Sequence, residues 1–504
     1  MALVNQDHLP AIVCLLLVGW YLTSTIYSWY RLRHLPGPLL ASLSYLWVAN
    51  VSWRGTQYET YRSLSEKYGS IVRVGPNELI TDDPEVLRRI SSTKNEYSRS
   101  EWYNGARINP HTVTMINLLD PLSHDNAKAK LSPGYSGRET PGLESIVDQQ
   151  LASLVNLIRR KYIHNPQNGK GFVALELTRV IPLFTLDVIS HVALGQGFGC
   201  LEVDTDIHGF YHTLETSLPQ ISMIADVPWM RRVLLSRLAL SLLGPKETDR
   251  TGLGKLMKVT NDEVRKRYGP DATDQMDLLG SFVRHGLTQK VCEAEGLFMF
   301  LAGSDTTANA LRLTMLYIMT TPLVYRKLKD EIAAAIRDGK ASRPITIAEA
   351  RGLPYLQAVI HEGLRMRPVL TQVFSKEVPP EGDTINGLFI PGGTAIGMNL
   401  SSMLCSKALF GDDAEIFRPE RFLEASEATR LEMQRNVDLN FGYGRWMCSG
   451  RPLAWTELNK TYFELLREFD FQVGDPKVAM NSRSYGLFLD KGLFVRVTES
   501  TLGA

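Results

Sequence analysis

The chain has 504 residues, with 55 Lys and Arg against 54 Asp and Glu and a net charge of +1. That near-balance provides no global field to attract nucleic acid, and the length suits one large domain or two to three small ones. The five cysteines, Cys14, Cys200, Cys292, Cys405 and Cys448, show no C-x-x-C pairing, which argues against a zinc site or disulfide framework and fits a reducing compartment.

Residues 9–30 carry no charge, and a bilayer span needs about 20 apolar residues. Trp20, Tyr27, Trp29 and Tyr30 lie in this run, and Arg31 and Arg33 follow it at once. The positive-inside rule then leaves the body of the chain in the cytosol. The expected plan is a lumenal tail at 1–8, a transmembrane anchor at 9–30, and a basic hinge at 31–38 ending in Leu35-Pro36-Gly37-Pro38. A cleaved signal peptide is the competing reading, disfavoured because the basic residues follow the apolar run. Residues 70–81, with Gly75-Pro76-Asn77 between two β-rich runs, predict a hairpin. Helical periodicity dominates from about residue 120 to 370, and strand character returns near 384–398 and 487–497.

Residues 290–320 contain no proline and predict a helix roughly 45 Å long. Its middle reads Ala302-Gly303-Ser304-Asp305-Thr306-Thr307, where hydroxyls bonding back to carbonyls can bend the axis. A structural kink is the ordinary reading of that stretch alone. Glu362-Gly363-Leu364-Arg365 places opposite charges three apart on one helical face, ordinarily a surface pair contributing a few tenths of a kcal/mol. His361-Glu362 opens an H-E-x-x-H zinc motif, but Arg365 stands in the last place, so that idea fails.

Near the C-terminus, Phe441-Gly442-Tyr443-Gly444-Arg445-Trp446-Met447-Cys448-Ser449-Gly450 leads into a helix with Pro452 near its start. The cysteine sits before a helix N-terminus, where unpaired N–H groups favour a thiolate. Gly442, Gly444 and Gly450 are expected to take positive φ or to approach a flat ligand.

That segment resembles the haem-thiolate loop of cytochromes P450, in the Gly-Arg-aromatic order of fungal enzymes of the pisatin demethylase type. The resemblance covers essentially the whole chain. It implies a mainly α fold with small β-sheets, the cytochrome P450 fold with an N-terminal transmembrane helix, and a catalytic domain at 39–504. Haem b is the implied cofactor, Cys448 the axial ligand of its iron, and Phe441 part of the cofactor-binding loop; thiolate ligation favours O–O cleavage. Either Arg445 or Trp446 meets a haem propionate, with Lys128 of His124-Asp125-Asn126-Ala127-Lys128 and Lys376 of Lys376-Glu377-Val378-Pro379 as further contacts. Both lysines replace the usual Arg, which keeps charge but loses bidentate geometry. Asp305 and Thr306 take the proton-delivery roles, and Glu362 and Arg365 join Arg421 of Pro419-Glu420-Arg421-Phe422 as a structural group behind the haem.

The run Gly195-Gln196-Gly197-Phe198-Gly199 lacks the spacing of a dinucleotide-binding loop, so electrons must come from another protein. The resemblance implies NADPH-cytochrome P450 reductase, with cytochrome b5 as an optional second donor. These would dock on the face around Cys448, where Arg445, Arg451, Lys460, Lys128 and Lys130 offer positive charge. Substrate contacts are expected from 103–116, 210–224, Phe298, Met299, Ala302, 369–374 and 485–489, mostly apolar and suited to a hydrophobic small molecule. The implied activity is O2-dependent oxidation of a lipophilic secondary metabolite (a terpenoid, polyketide or alkaloid) at the cytosolic face of the endoplasmic reticulum membrane. Two alternatives stand beside it: a P450-fold isomerase or dehydratase that does not use O2, and a non-enzymatic haem-binding membrane protein. Thr306 weighs against the first, which has less need of a proton relay, and the Asp305-Thr306 pair against the second.

Overall fold

The computed structural model describes residues 9–163, 173–477 and 479–502, so the expected tail at 1–8 lies outside the described residues. Helices dominate, with four small sheets among the described residues.

The expected long helix forms over Gln289–Thr320, 32 residues or about 48 Å at 1.5 Å per residue. It ends where Pro322 opens the next helix, Pro322–Arg337. The helices Leu177–Leu194, Gly252–Arg265, Pro354–Met366 and Arg451–Glu468 pack around it, which makes it the axis of the core. Glycines permit two of these approaches: a Cβ on Gly303 would lie 2.6 Å from Cγ1 of Ile189, and one on Gly363 would lie 2.0 Å from Oγ1 of Thr314. Ser304 and Thr306 donate back to the carbonyls of Phe300 (2.6 Å) and Ala302 (2.7 Å), the local bonding that the sequence predicts.

The predicted hairpin forms between Ile71–Arg73 and Glu78–Thr81. It opens a five-stranded sheet that continues through Ala395–Met398 and Lys376–Glu377 to Ser98–Arg99. The last two strands are antiparallel with Arg99 directly opposite Lys376. The C-terminal strand region resolves into a hairpin, Asn481–Tyr485 with Leu487–Lys491, and a separate sheet in which Phe494–Glu499 pairs Phe469–Val473.

A helix does form at the N-terminus, Leu9–Arg31, one residue beyond the expected anchor. Its end is tied to the globule: the buried Arg73 guanidinium donates to the carbonyls of Ser28, Ser42 and Pro76, and Arg31 donates to Gly392 and Thr394. The hinge is therefore a docked turn. Among the described residues, the helix that combines the length and hydropathy of a membrane span is Leu177–Leu194, and it is core, 89% buried inside the protein.

Candidate active site

The Cys448 loop is built from two short 3-10 turns, Asp438–Phe441 and Gly444–Trp446, joined through Gly442 at φ 72° and Gly444 at φ 58°. Both values lie in the region where a Cβ is strained, and a Cβ on Gly444 would also meet the Ser91 carbonyl at 2.5 Å. Gly450 departs from expectation: its φ of −80° suits any residue, and it serves as the N-cap of Arg451–Glu468. The Cys448 N–H closes the loop on the Phe441 carbonyl at 2.7 Å.

The Cys448 side chain is exposed although protein atoms crowd around it, which means that it lines a recess. Burial pushes the thiol up, while the N–H groups of Gly450 and Arg451 and the cations Lys128 and Arg451 pull it down. Burial wins, so the helix N-terminus alone does not make the thiolate that the sequence leads one to expect. A metal that takes the sulfur displaces this proton, as thiolate ligation requires.

The helix that follows Cys448 packs on the central helix, and the Tyr462 hydroxyl donates to the Ala310 carbonyl at 3.0 Å. Most of the central helix is buried, yet Phe298, Ala302, Gly303 and Thr306 retain accessible surface. Phe298, Ala302 and Thr306 (i, i+4, i+8) form one stripe, so one side of a core helix faces open space, while Gly303 borders it with its Cβ direction closed by Ile189. Thr306 belongs to this stripe. Asp305 does not: it points away, buried, with Oδ1 3.8 Å from Nη2 of Arg312 and Oδ2 without a partner. Burial pushes its carboxyl up to about 6 against the pull of Arg312.

The predicted propionate contacts divide. Lys128 donates to the carbonyls of Arg445 (2.7 Å) and Met447 (2.9 Å), so it braces the Cys448 loop. Arg445 Nε lies 3.1 Å from Asp125 Oδ2, close enough for ionic attraction but misaligned for a hydrogen bond. Lys376 is buried, donates to the Tyr103 hydroxyl at 2.9 Å, and lies 4.9 Å from the Trp446 ring. Beside it stands a residue that the sequence reading missed. Arg99 is buried, its guanidinium is 4.3 Å from the Trp446 ring, and its Nε has no partner. His124 completes the group, its ring 4.5 Å from that of Trp446; burial and Arg99 hold it neutral by pushing its pKa down to about 4.

Arg99 and Lys376 therefore face each other on paired strands, and among the described residues no carboxylate acts on either. Burial, and for Lys376 also the Arg99 charge, pushes both below their ordinary ranges. Two buried like charges are a standing cost that an anionic group would relieve. The carboxylates of a haem match that need in charge and number, and Cys448 supplies the sulfur, so the residues present fit the implied cofactor. Substituting Lys376 with Met is expected to speed haem loss to an acceptor protein by roughly 10- to 100-fold, the value of one charge-assisted hydrogen bond. It should also stabilise the haem-free protein, because one of the opposed cations is gone. Unchanged haem transfer would remove Lys376 from the site.

Glu362, Arg365 and Arg421 come together as expected, and all three are buried. Arg365 grips the Glu362 carboxylate with two hydrogen bonds (2.7 and 2.8 Å), and Arg421 Nε approaches both oxygens at 3.0 and 3.1 Å. The surface-pair reading is excluded.

Two other expectations need correction. Lys460 offers nothing to a docking partner, because it is buried and paired with Glu144 and Asp148, each at 2.8 Å. Arg451 is engaged by Asp438 at 2.7 Å, so Lys130 remains as the exposed cation of the expected set. Parts of the expected substrate segments pack together: Tyr103 and Ile116 lie with Val373 and Phe374, beside Trp102 and Ala225 just outside the expected bounds, and the Thr371 N–H donates to the Gly486 carbonyl at 2.9 Å; Phe298, Met299 and Ala302 do not belong to this cluster.

Comparison with known proteins agrees with this geometry. Residues 34–494 match the sequence model of the family described as Cytochrome P450. The chain is 49% identical over 470 residues to the cytochrome P450 monooxygenase aba1 of Botryotinia fuckeliana, across 93% of this chain and 92% of that protein. It is 44% identical over 485 residues to the cytochrome P450 monooxygenase ABA1 of Pyricularia oryzae, across 95% of each. Pisatin demethylase of Fusarium vanettenii is 30% identical over 463 residues, across 90% of this chain and 86% of that one. The chain belongs to the cytochrome P450 family. It is a P450 monooxygenase, its cofactor is haem b, and the family works with a redox partner, O2 and a small-molecule substrate.

Proposed function

We propose that this monooxygenase hydroxylates or otherwise oxidises a lipophilic secondary metabolite (a terpenoid, polyketide or alkaloid), with electrons from NADPH through cytochrome P450 reductase and cytochrome b5 as an optional second donor. The observation that carries this reading is the exposed Cys448 sulfur just before a helix that packs on the central helix, whose accessible stripe Phe298, Ala302 and Thr306 is mostly apolar with one hydroxyl at its end. Haem held at Cys448 supplies activation of dioxygen. The chain's own residues hold that group, exclude water and deliver protons. Thr306 keeps its hydroxyl on the stripe and, to pass a proton on, exchanges its bond to the Ala302 carbonyl for one to its new partner. Asp305, with a pKa near 6, takes up and releases protons close to neutrality. The apolar packing around Trp102, Tyr103 and Phe374 suits a ligand without charge.

A single-pass anchor in the endoplasmic reticulum membrane, with the catalytic domain in the cytosol, belongs to the same proposal. The N-terminal helix supports it by exposing Leu15, Leu16, Trp20, Ile26 and Tyr27. Two short helices, Pro228–Leu234 and Arg237–Leu243, bury no residue and expose Trp229, Val233, Leu238, Leu242 and Leu243. Arg231 on the first of them lies near Tyr45, next to the exposed Leu46, so the apolar surface of the short helices adjoins that residue. Expression in a host that supplies reductase, with metabolites compared against a host lacking this chain, tests the function. A new oxidised lipophilic product is expected in the membrane fraction, and turnover without NADPH would overturn the reading.

Thr306→Ala is expected to keep haem and NADPH consumption while product per NADPH falls about tenfold or more and peroxide rises. Tight coupling in that variant would remove Thr306 from proton delivery.

A further inference from the structure

Behind the accessible stripe, Asp305 belongs to a buried group of two carboxylates and two guanidiniums, and the bonds within it are unevenly shared. Asp490, on the strand Leu487–Lys491, takes Arg312 Nε at 2.9 Å and Arg367 at 2.7 and 3.1 Å, with the Ser482 hydroxyl at 2.6 Å. Arg367 also donates to Asn309 on the central helix and lies 3.9 Å above the Phe488 ring. Arg312 spends a further donor on the Phe488 carbonyl at 3.2 Å. Asp305 is left with Arg312 at 3.8 Å and an unpartnered Oδ2.

We propose that Asp490 is a positioning residue for proton delivery: by holding both guanidiniums it keeps Arg312 from closing on Asp305 and leaves that carboxyl able to bind and release a proton. The proposal rests on the assignment of Asp305 to proton delivery made above. Among the described residues, the charged and titratable groups acting on Asp305 are Arg312 on its own helix, Arg367 beyond the helix Pro354–Met366, Asp490 on the terminal hairpin, and the Tyr211 phenol on Phe210–Asp226. The two acids are driven apart: Asp490 lies well below the ordinary carboxylate range under the pull of Arg367 and Arg312, whereas burial raises Asp305 to about 6. Without the Asp490 charge, Arg312 can turn to Asp305, and an Asp beside an Arg falls by about one to three units.

The test is an infrared titration of the haem-loaded protein, following the carboxyl band that Asp305→Asn removes. Asp490→Asn is expected to move its midpoint from near 6 downward by about one to three units. Arg312→Gln should move it upward, whereas Asp490→Glu should leave it near the parent value. General loosening of the core would move the first two variants in the same direction, so opposite shifts separate electrostatic control from structural damage. The carbon monoxide spectrum checks that each variant is intact. An unshifted band in Asp490→Asn, or equal shifts in both variants, overturns the proposal. In parallel, the pH at which product per NADPH changes should move with the band. A band that moves while coupling stays fixed supports the hold of Asp490 on Asp305 and overturns instead the proton-delivery role of Asp305.

Discussion

Replacing Cys448 with Ser is expected to abolish the thiolate-type carbon monoxide spectrum and all monooxygenase turnover while leaving a folded chain. The fold should survive because the loop does not depend on the sulfur. Its closure is a backbone bond from Cys448 N–H to the Phe441 carbonyl, its brace is Lys128 on two other carbonyls, and its turns come from Gly442 and Gly444. A hydroxyl occupies nearly the same space but does not ionise near neutral pH, so it cannot push electron density onto iron as a thiolate does. The cations Arg99 and Lys376 are untouched by the change and still draw an anionic cofactor, so weak haem retention without the thiolate signature is the expected outcome. Quantified haem and the reduced carbon monoxide difference spectrum measure the two effects separately. A variant with the parent spectrum would show that some other side chain holds the iron.

The contrast between Cys448 and Arg99 shows what a linear sequence exposes. The Cys448 loop is legible because its requirements are local: two glycines at positive φ, a cysteine, and a helix start within a few residues of one another. Arg99 stands between two serines, with Glu96 and Tyr103 at helical spacing in a stretch where it belongs to a strand, and it acquires meaning only when strand pairing sets it opposite Lys376. No local signal marks it. Lys460 shows the reverse error: a cation near the cysteine reads as surface charge until helix Leu143–Lys161 covers it with Glu144 and Asp148. The long helix, the hairpin at 70–81 and the E-x-x-R pair were readable from periodicity, turn residues and spacing. Asp490 was invisible for the same reason as Arg99, since its two guanidinium partners come from the central helix and from the segment after Met366. Pairings distant along the chain are set by packing, which residue spacing does not encode.

Glu362→Gln is expected to cost about 3–5 kcal/mol, because it removes the charge that two buried guanidiniums share. The carboxylate accepts from Arg365 and Arg421 and also from the Arg418 N–H at 2.8 Å. Each arginine in turn holds carbonyls: Arg365 takes those of Leu404 and Ala414, and Arg421 those of Phe410, Asp413 and Ile416. One acid therefore organises the packing between the helix Pro354–Met366 and the segment 404–421. An amide keeps the shape but offers one acceptor oxygen, so the two cations compete for it in a buried site where their charges act strongly on each other. Against a total stability of about 5–15 kcal/mol, the loss is about a fifth or more, enough to deplete folded holoprotein. Arg365→Lys should fall between Glu362→Gln and the parent, since the charge survives but the paired bonds do not. Haem per polypeptide and the thermal midpoint measure both variants. A Glu362→Gln protein that melts with the parent and holds a full complement of haem would show that the buried group is dispensable to the fold.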